Sequence, residues 1–432
     1  MTAPGASNPA DPSPPDELGP GTTGRLSAPD RALLERERIR FVLALGRALH
    51  RYGTPAHRLE EALAIVCRRL SLEAEILSTP TWLTVRFGEA AELRTAMMRV
   101  VTGELDLGKM AALDALADAV TDRELGPAEG LARIAAIESA PPTWSPAWTA
   151  PTHAITGAAF AVFFGAPLRL LPVAALLGLV VGVISMLASR RASTTRALPL
   201  MAAFVVAFAA VAAGALVPGV SPSVLTISAL IPILPGLTLM VAMTDLATGH
   251  LVSGTARLMS ALIVLLELGL GVAVGERLGD RLFAVVALDL PALPWWSPWL
   301  AVLVSSVALT IVCQAELRAV LWIVGACFLG YLGAHFGAIA LGPQVGVLGG
   351  SFALGVFVNL YARLLDRPAQ VVLVPAVTML VPGSMGLRGI RSMLDRDTLT
   401  GVETTFATFV VAMAIVAGLL MANAVVSPRR TL

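Results

Sequence analysis

Apolar residues are concentrated in the last two thirds of the chain, in runs that match the thickness of a bilayer. A helix needs about 20 apolar residues to cross the hydrocarbon layer of a membrane. Short polar interruptions separate these runs. The sequence therefore predicts about ten transmembrane helices, at residues 152–166, 168–188, 197–217, 223–243, 257–275, 298–314, 319–339, 344–363, 370–390 and 402–426.

The N-terminal third has a different pattern, in which apolar and polar positions alternate over short distances. Apolar residues at helical spacing predict amphipathic helices, and alternating β-branched and aromatic residues predict strands. The predicted elements are helices at residues 31–52, 54–70, 106–120 and 127–137, and strands at 72–77, 81–87 and 97–101. Together they predict a small soluble α+β domain before the membrane helices.

These patterns divide the chain into five parts. Residues 1–28 are rich in Pro, Gly, Ser and Thr and lack the apolar segment of a signal peptide, so they predict a disordered tail. The soluble domain follows over residues 29–140, and residues 141–151 predict a linker whose tryptophans suit a membrane interface. Residues 152–290 and 291–432 then form two membrane halves of five spans each.

Composition and charge support this division. Hydrophobic residues make up 56% of the chain and charged residues only 14%, while the mean hydropathy is +0.77, which is typical of a protein solvated by lipid. Of the 61 charged residues, 36 lie in the first 148 positions. The net charge of +1 gives no indication of a nucleic-acid partner.

Arginines and cysteines narrow the prediction further. With a cytoplasmic N-terminal domain, the predicted inside segments hold nine arginines and the outside segments six, which favours a multi-pass protein of the cytoplasmic membrane in that orientation. Cys67, Cys313 and Cys327 have no metal-ligand spacing, so neither a disulfide framework nor a zinc site is predicted. The sequence predicts no cofactor.

A short motif recurs in the two membrane halves. Residues 235–236 (Pro-Gly) and Gly254 recur 147 positions later as residues 382–383 and Gly401. Five predicted spans, an odd number, separate the copies and would turn the second copy over in the membrane. The sequence therefore predicts two inverted five-helix repeats, a plan that many secondary transporters share.

Each Pro-Gly pair predicts a break in an apolar helix, because proline removes a backbone hydrogen bond and glycine relaxes the backbone. Backbone groups freed near the middle of the membrane can bind a small charged solute. A kink that serves packing alone is the alternative for each pair. The pairing of the two motifs favours the functional interpretation.

Three segments make the chain similar to a known family. They are RYGTPAHRLEEALAIVCRRLSLEAEILSTPTWLTVRFG at 51–88, LDLGKMAALDALADAV at 105–120 and LVPGSMGLRGI at 380–390. Together with the ten predicted spans, they resemble the threonine/serine exporter family over residues 35–426. The resemblance implies export of threonine and serine, driven by the proton gradient across the cytoplasmic membrane.

This substrate class directs attention to polar residues near the two breaks. A zwitterionic amino acid needs partners of both charges, and its hydroxyl needs a hydrogen-bonding partner. For the second half, a solvated loop with local ion pairs is the alternative interpretation. The predicted substrate-binding residues are Pro235, Gly236, Thr238, Asp245, Pro382, Gly383, Ser384 and Arg388.

Proton coupling requires a group in the membrane that can gain and lose a charge. Glu267 lies between leucines in the middle of a predicted span, and Glu403 follows the second Pro-Gly pair. We predict that these two carboxyl groups carry the coupling, although Glu267 could instead hydrogen-bond a neighbouring helix. Asn359 lies within an apolar run, where bridging two helices is its expected role.

The soluble domain contains His50, His57, Glu60, Glu61 and Cys67 but lacks the motifs of common hydrolases and metalloenzymes. A solvated charged helix face is the simplest interpretation, with no catalytic residue predicted. A membrane-anchored hydrolase and a membrane sensor remain alternatives to the transporter. The sequence leaves open whether the domain closes the cytoplasmic mouth or mediates assembly into a homo-oligomer.

Overall fold

The computed structural model describes residues 28–88, 94–101, 103, 105–189, 192–219, 221–284, 293–380, 382–395 and 397–427. All but the last residue of the predicted tail lies outside the described residues. Five of the arginines that entered the count of inside and outside segments also lie outside them, namely Arg190, Arg191, Arg396, Arg429 and Arg430.

Helices and a three-stranded antiparallel sheet form the N-terminal unit. Its elements are α1 (Ala28–Arg51), α2 (Ala56–Arg69), β1 (Ala74–Thr79), β2 (Trp82–Phe87), β3 (Arg94–Arg99), α3 (Leu107–Thr121) and α4 (Pro127–Ser139). β2 is the central strand and pairs with β1 and β3. The predicted helices and strands are confirmed within a few residues, with the third strand starting three residues earlier than predicted.

Periodic apolar positions form the core of this unit. Phe41, Leu45 and Leu49 lie on one face of α1 and are fully or almost fully buried. They pack in one cluster with Leu63 of α2 and Leu83 of β2. Burial of each large side chain stabilises the fold by about 2 kcal/mol, so the spacing that predicts the helices also orients them.

Apolar helices make up the remainder of the described chain. They are α5 (Pro146–Phe163), α6 (Leu171–Ala188), α7 (Ala192–Leu216), α8 (Pro222–Leu230), α9 (Gly236–Ala247), α10 (Leu251–Leu282), α11 (Ser297–Val312), α12 (Val320–Leu341), α13 (Pro343–Leu365), α14 (Gln370–Leu380), α15 (Pro382–Leu394) and α16 (Thr398–Val425). Short 3-10 helices occupy Leu168–Leu170, Ile231–Ile233 and Leu317–Ala319.

Seven helices within the described ranges are long and apolar enough to cross a membrane, or eight if a bent pair counts as one span. The bent pair consists of Pro222–Ile233 and Gly236–Ala247, which meet at 58°. The prediction of a mainly helical, multi-pass membrane protein is therefore confirmed. α5 begins at Pro146, so the second part of the predicted linker is already helical.

The N-terminal unit is attached to the loop between α11 and α12. Backbone N–H groups of Leu107 and Gly108 at the start of α3 donate to the carbonyls of Cys313 and Gln314, at 3.1 and 3.0 Å. The backbone N–H of Trp144 donates to Oε1 of Gln314 at 2.7 Å, and the Trp144 indole donates to the carbonyl of Ala315. These hydrogen bonds fix the unit against the membrane helices.

Asn359 ties α13 to the end of α16. Its Nδ2 donates to Oδ1 of Asn423 at 2.8 Å and to the carbonyl of Val426 at 2.7 Å. The bridging role expected for this polar residue is confirmed. The three cysteines are free and buried.

Candidate functional site

The two Pro-Gly pairs meet in the interior of the membrane part. A Cβ atom added to Gly383 would lie 3.1 Å from the backbone nitrogen and 3.2 Å from the Cα of Gly236. A Cβ added to Gly236 would lie 3.5 Å from the backbone nitrogen of Gly383. The starts of α9 and α15 therefore pass each other at backbone distance, which only small residues permit.

The first break follows from its local sequence. Pro235 has no N–H group to continue the hydrogen bonding of α8, and the chain passes through the 3-10 turn Ile231–Ile233 before α9 begins at Gly236. The N–H of Gly236 donates to the carbonyl of Leu234 at 2.8 Å. At the second Pro-Gly pair α15 begins at Pro382, and the Pro382 side chain and residue 381 lie outside what the structure describes. Gln370–Leu394, which contains both α14 and α15, counts as one candidate span.

A cavity of about 670 Å³ reaches the first break. Leu234, Gly236 and Leu237 line it on one side, and Thr378 of α14 lies beside them. The same cavity is lined by residues of the N-terminal unit, including Arg51 and Glu138. A continuous space therefore connects the N-terminal unit with the break in the membrane part.

The residues of the N-terminal unit that line the cavity include positively and negatively charged side chains. Arg51 Nη1 lies 3.7 Å from Oε1 of Glu138, and Lys109 Nζ donates to the carbonyl of Ala140 at 2.7 Å. Asp106 accepts the N–H of Lys109 at 2.9 Å and so caps α3. Burial raises the pKa of this carboxyl above its usual range. Groups of both signs suit a ligand that carries an ammonium and a carboxylate.

A second polar cluster surrounds Asp245 near the end of α9. This carboxylate is fully buried, and its Oδ1 lies 3.0 Å from Nδ1 of His57 on α2. Ser253 of α10 donates its hydroxyl to Oδ2 at 3.0 Å, and Arg257 Nε lies 3.4 Å from the same oxygen. Asp245 therefore joins the N-terminal unit, α9 and α10 through one carboxylate.

A neighbouring pair repeats this connection between the two parts. His250 Nε2 lies 3.2 Å from Oε2 of Glu60 on α2, and the other oxygen of Glu60 accepts the N–H of Ser78 at 2.7 Å. His250 follows Gly249, whose φ of +88° ends α9 in a conformation that favours glycine. This tight turn places His250 beside α2.

His57 and Glu60 were expected on a solvated helix face, whereas the structure points them at α9 and α10. Their spacing of three residues on α2 puts both side chains on one face. This spacing in the sequence indicates that the two side chains share a face, but it does not identify the residues that they contact. Asp245 lies 188 residues away from His57 along the chain.

The other titratable groups singled out in the N-terminal unit have internal roles. The Nε2 of His50 lies 2.7 Å from the carbonyl of Thr79, and burial lowers the pKa of this imidazole below its ordinary value. Burial raises the pKa of the Cys67 thiol to about 12. A thiol in this state is protonated at neutral pH and is a poor nucleophile.

The remaining predicted site residues lie at several places. Thr238 is half-buried next to the first break, and Ser384 is buried next to the second. Arg388 is exposed, with its guanidinium 4.7 Å from the ring centre of Phe164. The structure thus brings the Pro-Gly residues together and places Asp245 and Arg388 elsewhere.

The two predicted coupling residues occupy different environments. Glu267 is half-buried on α10, and Glu403 is exposed on α16. Their roles, like those of the substrate-binding residues, stay predictions.

Comparison with known proteins relates the chain to curated proteins of fungi. It is 27% identical to pheromone-regulated membrane protein 10 of Saccharomyces cerevisiae, over 86% of this chain and 50% of that protein. The protein of the same name from Candida glabrata is 26% identical, over 86% of this chain and 49% of that protein. The chain thus spans about half the length of these curated relatives. No solved structure matches.

Family models cover most of the chain. A threonine/serine exporter model, ThrE, matches residues 40–279, and a second model described as "Threonine/Serine exporter, ThrE" matches residues 299–425. The first match alone extends over more than half of the chain and includes the N-terminal unit together with α5 to α9 and most of α10. The chain belongs to the threonine/serine exporter family of multi-pass membrane proteins.

Proposed function

We propose that the protein is a secondary exporter of threonine, serine or a similar small amino acid, coupled to the proton gradient of the cytoplasmic membrane. It has ten spans in two inverted five-helix repeats, and its soluble N-terminal domain lies in the cytoplasm. The single observation that carries the proposal is the cavity that joins the charged N-terminal unit to the crossing of the two Pro-Gly pairs.

The order of elements supports the repeat. In each half, a helix is followed by a 3-10 helix, two long helices, two shorter helices, the second of which begins within a Pro-Gly pair, and a final long helix. α10 starts at Leu251 and α16 starts at Thr398, which gives the same offset of 147 residues that relates the motifs. The first family match ends at residue 279, near the end of α10, and the second begins at residue 299, near the start of α11, so both stop close to where the halves divide.

A tight helix contact also recurs at this offset. A Cβ added to Gly254 of α10 would lie 2.6 Å from Leu246 of α9. In the second half, a Cβ added to Gly401 of α16 would lie 2.4 Å from Met393 of α15. Each half therefore packs its half-helix against the next long helix through an equivalent glycine.

Inversion is supported by the directions of the two half-helices. Both begin at the crossing of Gly236 and Gly383. α9 runs to the start of α10, where Asp245 meets Arg257. α15 runs along the second half of α10 to its end, where Arg277 Nη2 donates to the carbonyl of Leu394 at 3.3 Å. From one crossing point, the half-helices thus extend toward opposite ends of α10.

The cavity suits a small zwitterion. Charged groups at the N-terminal unit can take up its ammonium and carboxylate, and backbone groups freed at the break can replace water around it deeper in the membrane. The Thr378 hydroxyl offers a partner for a substrate hydroxyl. An amino acid needs only a small part of about 670 Å³, so water accompanies it at this stage.

Transport by purified protein in liposomes tests the proposal. With an imposed proton gradient, we expect labelled threonine to move against its concentration gradient, and Glu267→Gln to reduce this flux about tenfold or more because a neutral amide cannot carry the proton. Exchange of labelled for unlabelled threonine without a gradient should continue in that variant. The matched control is Glu129→Gln on the exposed face of α4.

A panel of amino acids identifies the substrate. Flux of no amino acid under any gradient would refute transport of this class. If the flux through Glu267→Gln and Glu403→Gln depends on the proton gradient as in the parent protein, neither residue carries the proton. That result would not contradict the proposed export of amino acids.

A further inference from the structure

α10 connects the outer ends of both half-helices. Asp245 of α9 is held near its first turns by Ser253 and Arg257. Near its other end, Glu276 Oε2 lies 3.0 Å from Nη2 of Arg391 on α15. Arg257 and Glu276 are 19 residues apart, or about 28 Å at 1.5 Å per residue. This span is close to the thickness of the hydrocarbon layer.

The two ends differ in their access to solvent. The cavity that reaches Gly236 is lined by the N-terminal unit, which lies at the Asp245 end of α10. Glu276 and Arg391 lie at the far end, where both side chains are mostly buried. α15 and α10 also pack closely here, since a Cβ added to Gly269 would lie 2.6 Å from Ile390. The path is therefore open on one side of the crossing and packed on the other.

We propose that the Glu276–Arg391 ion pair is the gate that closes the transport path on the face opposite the N-terminal unit. This inference rests on the proposed exporter function and adds to it the residues that control exit. Release of the pair removes the ion pair between the end of α15 and α10 and leaves the Arg277 hydrogen bond to the Leu394 carbonyl there, so α15 can tilt about its start at the Pro-Gly pair. The substrate then leaves past the end of α15.

The bonding of this pair suits a gate. Glu276 Oε1 and Arg391 Nε have no hydrogen-bond partner within the described residues, although Arg391 Nε lies 3.6 Å from Asp395. A buried ion pair with unsatisfied atoms is stabilised less than a fully bonded one. Water or polar groups of the substrate can hydrogen-bond these unsatisfied atoms and so offset the free energy lost when the pair separates. A fully bonded structural pair offers no such atoms and would resist separation.

Thiol labelling of the cavity tests the gate without any transport assay. Thr378→Cys places a reporter in the cavity, and because Cys313 lines the same cavity it is replaced by alanine in the parent protein. Cys67 and Cys327 are buried. An impermeant maleimide is applied to vesicles from one face or the other. Breaking the pair by Glu276→Gln should raise the rate of labelling from the face opposite the N-terminal unit about tenfold, and lower it from the near face, because the open population shifts.

Control variants separate a gate from a general loosening of the structure. Arg391→Gln breaks the same pair from the other side and should shift labelling in the same direction. If one of the two variants misfolds, the other still tests the gate. Asp395→Asn removes only the exposed neighbour of Arg391 and should leave labelling unchanged. The charge exchange Glu276→Arg with Arg391→Glu should restore the original rates.

Equal labelling of the parent and both single variants from the far face would overturn the proposal. Increased labelling from both faces, or failure of the charge exchange to reverse the shift, would also overturn it and indicate a packing role. Labelling needs no substrate, so a protein that moves no amino acid but shows the shift would refute the exporter and retain the gate.

Discussion

The helices α9 and α15 pack in the same way, but different polar contacts hold their ends. Both half-helices start at the crossing of Gly236 and Gly383, and both pack against a glycine of the following helix. The end of α9 is held by three partners of Asp245, one of them from the N-terminal unit. The end of α15 is held to α10 by the Arg391–Glu276 ion pair and by the Arg277 hydrogen bond to the Leu394 carbonyl.

The backbone contact that sets the crossing is therefore separate from the side-chain contacts that hold each end. Small residues fix where the half-helices cross, and the same glycine positions serve both halves. Polar residues determine how firmly each end is held. In the proposed gate, the end beside the N-terminal unit stays held and the far end is released.

The largest effect should come from removing the buried carboxylate at the α9 end. Asp245→Asn leaves Arg257 without its charged partner, and breaking a buried pair in this way costs about 3 kcal/mol of stability. Glu276→Gln at the α15 end should cost about 1 kcal/mol, because its pair is less completely buried and less fully bonded. Denaturation in mixed micelles measures both values. Equal losses at the two ends would contradict the comparison.

A smaller effect should come from adding a methyl group at the crossing of Gly236 and Gly383, and the loss of stability should differ between the two positions. Gly383→Ala would put a methyl group 3.1 Å from the backbone of Gly236, which is tighter than ordinary contact and costs about 1 kcal/mol or more in overpacking. Gly236→Ala meets its nearest neighbour at 3.5 Å and should be tolerated. Thermal unfolding in detergent compares the two variants. Greater loss in Gly236→Ala would show that the crossing is not held as described.

The smallest effect should come from acid and should be confined to the N-terminal unit, on the side of the α9 end. Burial lowers the pKa of His50 in the folded protein, so the unfolded chain binds a proton more readily as the pH falls below about 6.5. Stability of the N-terminal unit therefore decreases on acidification through this range. Hydrogen exchange should speed up at the end of α1 and in β1, where His50 lies 2.7 Å from the carbonyl of Thr79, and not in α15. His50→Gln should weaken this response.

Much of the fold follows from periodicity along the chain. The runs that predict spans correspond to helices of the structure, and the alternation around Leu83 and Val85 predicts the central strand because one face of the sheet is buried. The third strand is displaced from its predicted position because the weak alternation of residues 94–101 does not fix its ends. Pairing with β2 fixes the ends of this strand instead.

The candidate site was less predictable, because its contacts join distant segments. The offset of 147 residues indicates that Pro235 and Pro382 are equivalent, yet it does not show that Gly236 touches Gly383. His57 belongs to an amphipathic face whose partner only the tertiary structure reveals. Glu276 lies just beyond a predicted span, where a charge is ordinary, and its pairing with Arg391 leaves no local signal.

The 32-residue length of α10 has a mechanical consequence. An unbroken helix of this length moves as a rigid lever. A tilt of about 10° around one end displaces a point about 28 Å away by about 5 Å, roughly the width of a small amino acid. In the proposed gate, a slight rotation of α10 beside His57 is thereby amplified into a displacement at the Glu276 end that is large enough to open a passage there.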